Sequence, residues 1–195
     1  GGVFTIAEST DIVGFDDVVR HISLCVSLHF TNERLITGDW TRGPSGTGEM
    51  SWLYCTTPTK FEKSGLVESF EIVDSQTIVY TVRKGVRWHD KPPVNAREMT
   101  ADDIIYSVKR QMATPTSVLR QGQPWGFEIK APDKWTVVIK SPEAQYTGEI
   151  LRDVGGQCYI VPREMIEKYG DVRQWENACG TGPFMLVDYV SGSSV

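Results

Sequence analysis

Few residues in this chain have the chemistry to act on a substrate. Three histidines and four cysteines are spread over 195 positions. His89 stands in Trp88-His89-Asp90, where an imidazole beside a carboxylate has the make-up of a general base and its orienter. No serine elbow, cysteine or second histidine accompanies it locally, so the reading that asks least is a histidine that packs or caps its own turn. His21 and His29 lie eight apart without an HExxH pattern, which argues against zinc. Cys25, Cys55, Cys158 and Cys179 are too far apart for CxxC motifs, and four cysteines allow three pairings among which spacing does not choose. Small buried thiols are the simplest account of them. Gly180-Thr181-Gly182-Pro183 has the outline of an anion loop, but its proline removes an N–H donor and no lysine follows, so a structural turn is expected. Neither a metal nor a cofactor is implied. A hydrolase using Cys25 or Cys179 with a histidine is the enzymatic alternative, and it requires a thiol and an imidazole within hydrogen-bond reach.

Aromatic residues on irregular stretches are the other candidates. Trp40 lies in 37–60, a run rich in Gly, Pro, Ser and Thr, and Trp125 near the end of a second irregular stretch at 114–126. Such rings suit the mouth of a binding site, or else they cover core.

Composition narrows the class. Forty per cent hydrophobic and 23% charged residues are ordinary for a globular domain. A formal charge of -5 with no basic arm disfavours nucleic acid, because phosphate binding needs clustered Lys and Arg. Apolar runs fall well short of the roughly 20 residues that cross a bilayer, and GGVFTIAEST lacks the basic start and apolar core of a signal peptide.

The elements that must position these residues centre on 65–110. Phe70 and Ile72 share one face of a strand, Asp74-Ser75-Gln76 turns the chain, and Ile78, Tyr80 and Val82 share one face of the return strand. Pro92-Pro93 excludes helix until about Asn95. Thr100 then caps a helix with Asp102 and Asp103 in its first turn, and Ala101, Ile104, Ile105, Val108 and Met112 fall on one face. Phe127-Glu128-Ile129 repeats Phe70-Glu71-Ile72, with a turn at 131–134 and Trp135, Val137 and Ile139 on the return, so two hairpins are expected to join one antiparallel sheet. Around this frame the pattern predicts a strand at 3–8, a turn at 14–17 and a helix over 18–35. It further predicts a helix from Ser141-Pro142 to about Val154 stopped by Gly155-Gly156, a strand at 157–161, a helix from Pro162 to Gly170, and a strand after Gly182.

These segments resemble, in order and along nearly the whole chain, the extracytoplasmic solute-binding proteins of ABC importers, family 5, the di- and oligopeptide-binding type. The resemblance is carried by GGVFTIAESTDIVGFDD, then GLVESFEIVDSQTIVYTVRKGVRWHD and NAREMTADDIIYSVKR, then APDKWTVVIKSPEA, YIVPREMIEKYGD and GTGPFMLVDY. The chain departs from the family in its Trp-rich 38–60 segment and in Asp17, where the family often has proline.

The resemblance implies an α/β fold of the type II periplasmic-binding-protein kind, incomplete, with an α+β central subdomain built on an antiparallel or mixed sheet. Residues 1–37 and 177–195 would belong to the first lobe, 38–176 would form an inserted subdomain, and the second lobe would be absent, so an N-terminal fragment is expected. It further implies a non-enzymatic binding component that captures a peptide or other small solute and delivers it to an ABC permease in the membrane. The protein would work as a monomer, without nucleic acid, in the periplasm or as a cell-surface lipoprotein. His21, Ser23, Leu24 and Cys25 would then line the ligand cleft, with their backbone pairing to an extended peptide, and Trp40 and Trp125 join them as ligand-binding candidates. A chain with one lobe is expected to bind weakly or not at all.

Overall fold

The computed structural model describes residues 11–12, 14–18, 28–44, 46–51 and 59–192. The strand expected at 3–8 and most of the helix expected at 18–35 lie outside the described residues. Along the chain, one helical turn, α1 (Leu28–Thr31), precedes β1 (Ile36–Gly38), which pairs antiparallel with β2 (Glu62–Ser64). The helix expected to reach Leu35 therefore ends at Thr31. Asn32 is buried with its amide turned to distant backbone, and Arg34 already makes an antiparallel bridge to Tyr159, so neither continues the helix.

Two hairpins make the centre, as their alternation predicts. β3 (Val67–Ile72) and β4 (Thr77–Val82) are joined at Asp74, whose carboxylate accepts from Gln76 N at 2.7 Å. β5 (Glu128–Asp133) and β6 (Thr136–Lys140) are joined more tightly than expected: Asp133 already pairs with Thr136, and the irregularity at 131–132 is a bulge within β5. The sheet order is β3-β4-β6-β5, which sets the two return strands side by side with Ile78 opposite Ile139 and Tyr80 opposite Val137. These four, with Val82, are fully buried on one face.

α2 (Ala101–Ala113) covers that face. Asp103 accepts from Thr100 N at 2.9 Å, closing its first turn, and Ala101, Ile104 and Val108 are fully buried in the core with the sheet. Burying each larger apolar side chain is worth ~1.5–3 kcal/mol against ~0.3–1 kcal/mol for each end charge, so packing decides the helix. Beside the apolar stripe a polar one is buried too: Asp103, Ser107 and Gln111, four residues apart along the axis. Arg97 donates to both Asp103 oxygens, at 2.9 and 2.6 Å, and to the Glu164 carboxylate, tying the start of α2 to the helix that carries Glu164.

After α3 (Val118–Gly122), the helix expected from Ser141 starts late, as α4 (Thr147–Gly156). Gln76 donates to the carbonyls of Ser141 and Pro142 at 3.2 and 2.9 Å, which holds that stretch extended at the sheet's end. Gly155 and Gly156 lie inside α4 instead of stopping it. A Cβ on Gly155 would come within 2.5 Å of Ile36 Cδ1, so glycine there lets α4 rest on β1. The strand expected at 157–161 is a buried run with a single bridge, because its polar backbone is met by side chains from Ser107, Asn32 and Asp17. α5 (Arg163–Tyr169) follows Pro162 and closes at Gly170, φ +83°, as expected. No strand follows Gly182 among the described residues, and Phe184, Met185, Val187 and Val190 are exposed.

Candidate functional site

Three stretches distant in sequence meet at one junction: 28–34, 89–91 and 178–184. Asn32 is its hub. Its amide donates to Ile160 O at 3.2 Å and Cys179 O at 3.5 Å, while its own oxygen accepts from the Thr31 hydroxyl at 2.8 Å. Gly182 N donates to Thr31 O at 2.9 Å. The approach is close enough to require glycine, since a Cβ on Gly180 would fall 1.9 Å from Thr31 O.

His89 closes the junction from the other side. Its backbone N–H donates to Gly180 O at 2.9 Å, and its Nδ1 accepts from Gly180 N at 3.2 Å. With Nδ1 an acceptor, Nε2 carries the hydrogen and donates to Gly182 O at 2.8 Å. Lys91 Nζ adds a bond to Ala178 O at 3.0 Å. The sequence reading kept His89 within its own turn; the structure uses it to fasten a run ninety residues away, and both ring nitrogens are occupied.

Tyr159 organises the neighbouring region. Its hydroxyl accepts from Arg34 Nη2 at 2.5 Å and donates to His29 Nδ1 at 2.7 Å, with the guanidinium carbon 4.4 Å from the centre of its ring. Burial of the imidazole nitrogen, and then the Arg34 charge, press the His29 pKa down to about 4, which keeps Nδ1 an acceptor through the neutral range. Tyr159 N donates to Asp17 at 3.2 Å, Gln111 donates to the same carboxylate, and Arg110 holds Asp16 with both terminal nitrogens. Asp17, the residue where the resemblance expected proline, thus joins α2 to the 157–161 run through one of its two oxygens.

The residues singled out from sequence fare differently. His21, Ser23, Leu24 and Cys25 lie outside the described residues. Trp40 sits on a short 3₁₀ turn at the end of β1 and is 57% exposed. Trp125 is 37% exposed and stacks on Tyr146, ring centres 4.0 Å apart at 16°. Asn32, Tyr159, Arg110 and Gln111 were missed. The 103-107-111 spacing beside the apolar stripe was the available sign that a polar face of α2 is buried; nothing local marks Asn32.

The Cys179 thiol is pushed up to about 11, chiefly by burial, and burial likewise raises Cys158, the reverse of an activated nucleophile. No group of three His, Cys, Asp or Glu side chains that could hold a metal occurs among the described residues, and no described helix is long and apolar enough to cross a membrane.

The model of the bacterial extracellular solute-binding proteins, family 5, middle segment, matches residues 63–195. A curated relative, the dipeptide-binding protein of Escherichia coli (strain K12), is 30% identical over 148 residues, covering 67% of this chain and 28% of its own. The periplasmic oligopeptide-binding protein OppA of the same organism is 29% identical over 148 residues, 65% of this chain and 26% of its own. The solved dipeptide-binding protein from Pseudoalteromonas sp. SM9913, in complex with Met-Leu, superposes with a TM-score of 0.68 at 20% identity, over 93% of this chain and 36% of that one. The fold is therefore the part-complete periplasmic-binding-protein architecture expected from sequence, and the chain spans between a quarter and a third of the length of its curated relatives.

Proposed function

The chain belongs to family 5 of the bacterial extracellular solute-binding proteins, and from that premise we propose that it is part of a receptor that captures peptides outside the membrane and delivers them to an ABC permease. The observation that carries this is the family match over 63–195, together with curated relatives that are peptide-binding proteins. In this reading residues 1–37 and 177–195 contribute to one lobe, 38–176 form a subdomain attached to it, and the ligand lies between lobes. His21 to Cys25 offer backbone to an extended peptide, and Trp40 and Trp125 flank the entrance. The protein acts as a monomer in the periplasm or tethered at the cell surface.

Such a receptor needs rigid geometry more than reactive groups, and the junction supplies it. Both His89 ring nitrogens are held by backbone, and the buried Cys179 thiol has a raised pKa, which leaves the Cys179-based hydrolase without support. Calorimetric titration of a protein that carries this chain at the length of its relatives is expected to give micromolar or tighter binding to some member of a pool of di- to tetrapeptides. Silence with peptides, alongside heat with sugars or metal chelates, would overturn the assignment. The 195-residue chain alone is expected to bind the same pool weakly or not at all, and micromolar affinity there would overturn the two-lobe reading.

A further inference from the structure

The run 14–18 is fastened to the rest of the molecule by two adjacent acids, both buried. Asp16 takes both terminal nitrogens of Arg110, and Val172 N adds a donor at 3.4 Å. Asp17 is treated unequally. One of its oxygens accepts from Gln111 Nε2 and Tyr159 N. The other, Oδ1, is buried with no hydrogen-bond partner among the described residues and lies 3.9 Å from Arg110, whose two terminal nitrogens already serve Asp16. Two buried carboxylates thus share one guanidinium.

We propose that Asp16 and Asp17 form a clasp that holds a single proton, on Asp17 Oδ1, and that its grip on α2 and Tyr159 loosens when that proton leaves. Asp16 is already paired with both terminal nitrogens of Arg110. A proton on Oδ1 removes the second charge without disturbing the two bonds made by the opposite oxygen. Loss of the proton places two like charges side by side in a buried site, facing one guanidinium between them.

The ionisable groups around Asp17 agree in direction. Burial first, then the Asp16 charge, push the Asp17 carboxyl up to about 7, while Arg110 pulls the other way. Cys158, beneath Gln111 Nε2 at 3.2 Å, has its thiol raised by burial and by Asp17, so it stays neutral and adds no further negative charge. Arg34 faces Cys158, and Tyr106 and Asp171 face Arg110; none reaches Oδ1. An aspartate in the unfolded chain titrates near 3.9. The folded chain therefore binds this proton more tightly than the unfolded one. The stability it lends is fully present below about pH 4 and is lost as the pH rises through about 7.

The clasp is tested on the full chain, with no ligand required. The melting temperature of the wild type is expected to fall by about 5 °C or more between pH 5 and pH 8.5, whereas Asp17→Asn, which keeps an acceptor for Gln111 and Tyr159 and cannot ionise, follows a flatter profile. Asp16→Asn is expected to lower the melting temperature at both pH values, since Arg110 loses its partner. Parallel profiles for wild type and Asp17→Asn would overturn the proposal. The carbon-13 titration of the wild-type Asp17 carboxyl decides the matter even if a variant fails to fold: a midpoint near 7 supports the clasp, and one near 4 overturns it.

Discussion

In the four-stranded sheet with α2, the core is mostly apolar: Ile78, Val137, Ile139, Ile104 and Val108 are fully buried and carry no polar side-chain atom. At the junction around Asn32 the closing contacts are side-chain amides, imidazole and ammonium groups aimed at backbone carbonyls and N–H groups. Apolar burial is non-directional and tolerates a shift of a few tenths of an ångström. A hydrogen bond to a particular carbonyl fixes which two backbones meet and at what angle. The sheet and helix therefore supply most of the stability, and the junction supplies the path by which 178–184 passes between 28–32 and 89–91.

That contrast is open to direct tests. The largest effect is expected from Ile104→Ala, which removes a fully buried side chain between α2 and the sheet and should cost about 2–5 kcal/mol in urea unfolding. A loss below 1 kcal/mol would mean that the sheet and helix are not the stabilising region. Asn32→Ala leaves the carbonyls of Ile160 and Cys179 without their side-chain donor and should cost about 1–3 kcal/mol. Its distinguishing mark is local: amide exchange should quicken at Gly180 and Gly182 while the β4 and β6 amides stay protected. If β4 exchanges as well, the two regions unfold as one and the distinction collapses. The smallest effect is expected from Lys130→Ala, which removes an exposed ion pair to Glu128 at the sheet's edge; a melting temperature displaced by more than a degree or two would show an unrecognised contact there.

The same contrast explains what could be read in advance. Alternation at Ile78-Tyr80-Val82 and Val137-Ile139, and the 3.6-residue period of Ala101-Ile104-Val108, are imprints of apolar burial on consecutive residues, so both hairpins and α2 were legible. Gly170 and Pro162 bounded α5 for equally local reasons. The late start of α4 was hidden because Gln76, sixty-five residues earlier, holds Ser141 extended. The run at 157–161 reads as a strand because it is apolar, yet its backbone partners are side chains with no periodicity. His89 was legible as structural but not as a fastener of Gly180. Asn32 and Asp16 gave no sign at all, and Asp17 stood out only as a departure from the family's proline, since a buried polar residue is defined by partners far along the chain. The ligand residues proposed from resemblance, His21 to Cys25, fall outside the described residues, and Trp125 is committed on one face to Tyr146.

The sequence distances at the junction also have a meaning in time. The strands of the sheet and α2 all lie before Ser141, and each hairpin closes over a short turn. Asn32 must wait for Cys179, 147 residues later, and His89 for Gly180, 91 residues later. On a ribosome that makes the chain from its N-terminus, the strands of both hairpins and α2 are complete well before the junction is, and contacts of such separation form late. Through that interval Asn32 and His89 are left to water, and the final placement of 178–184 is the step that takes them out of it.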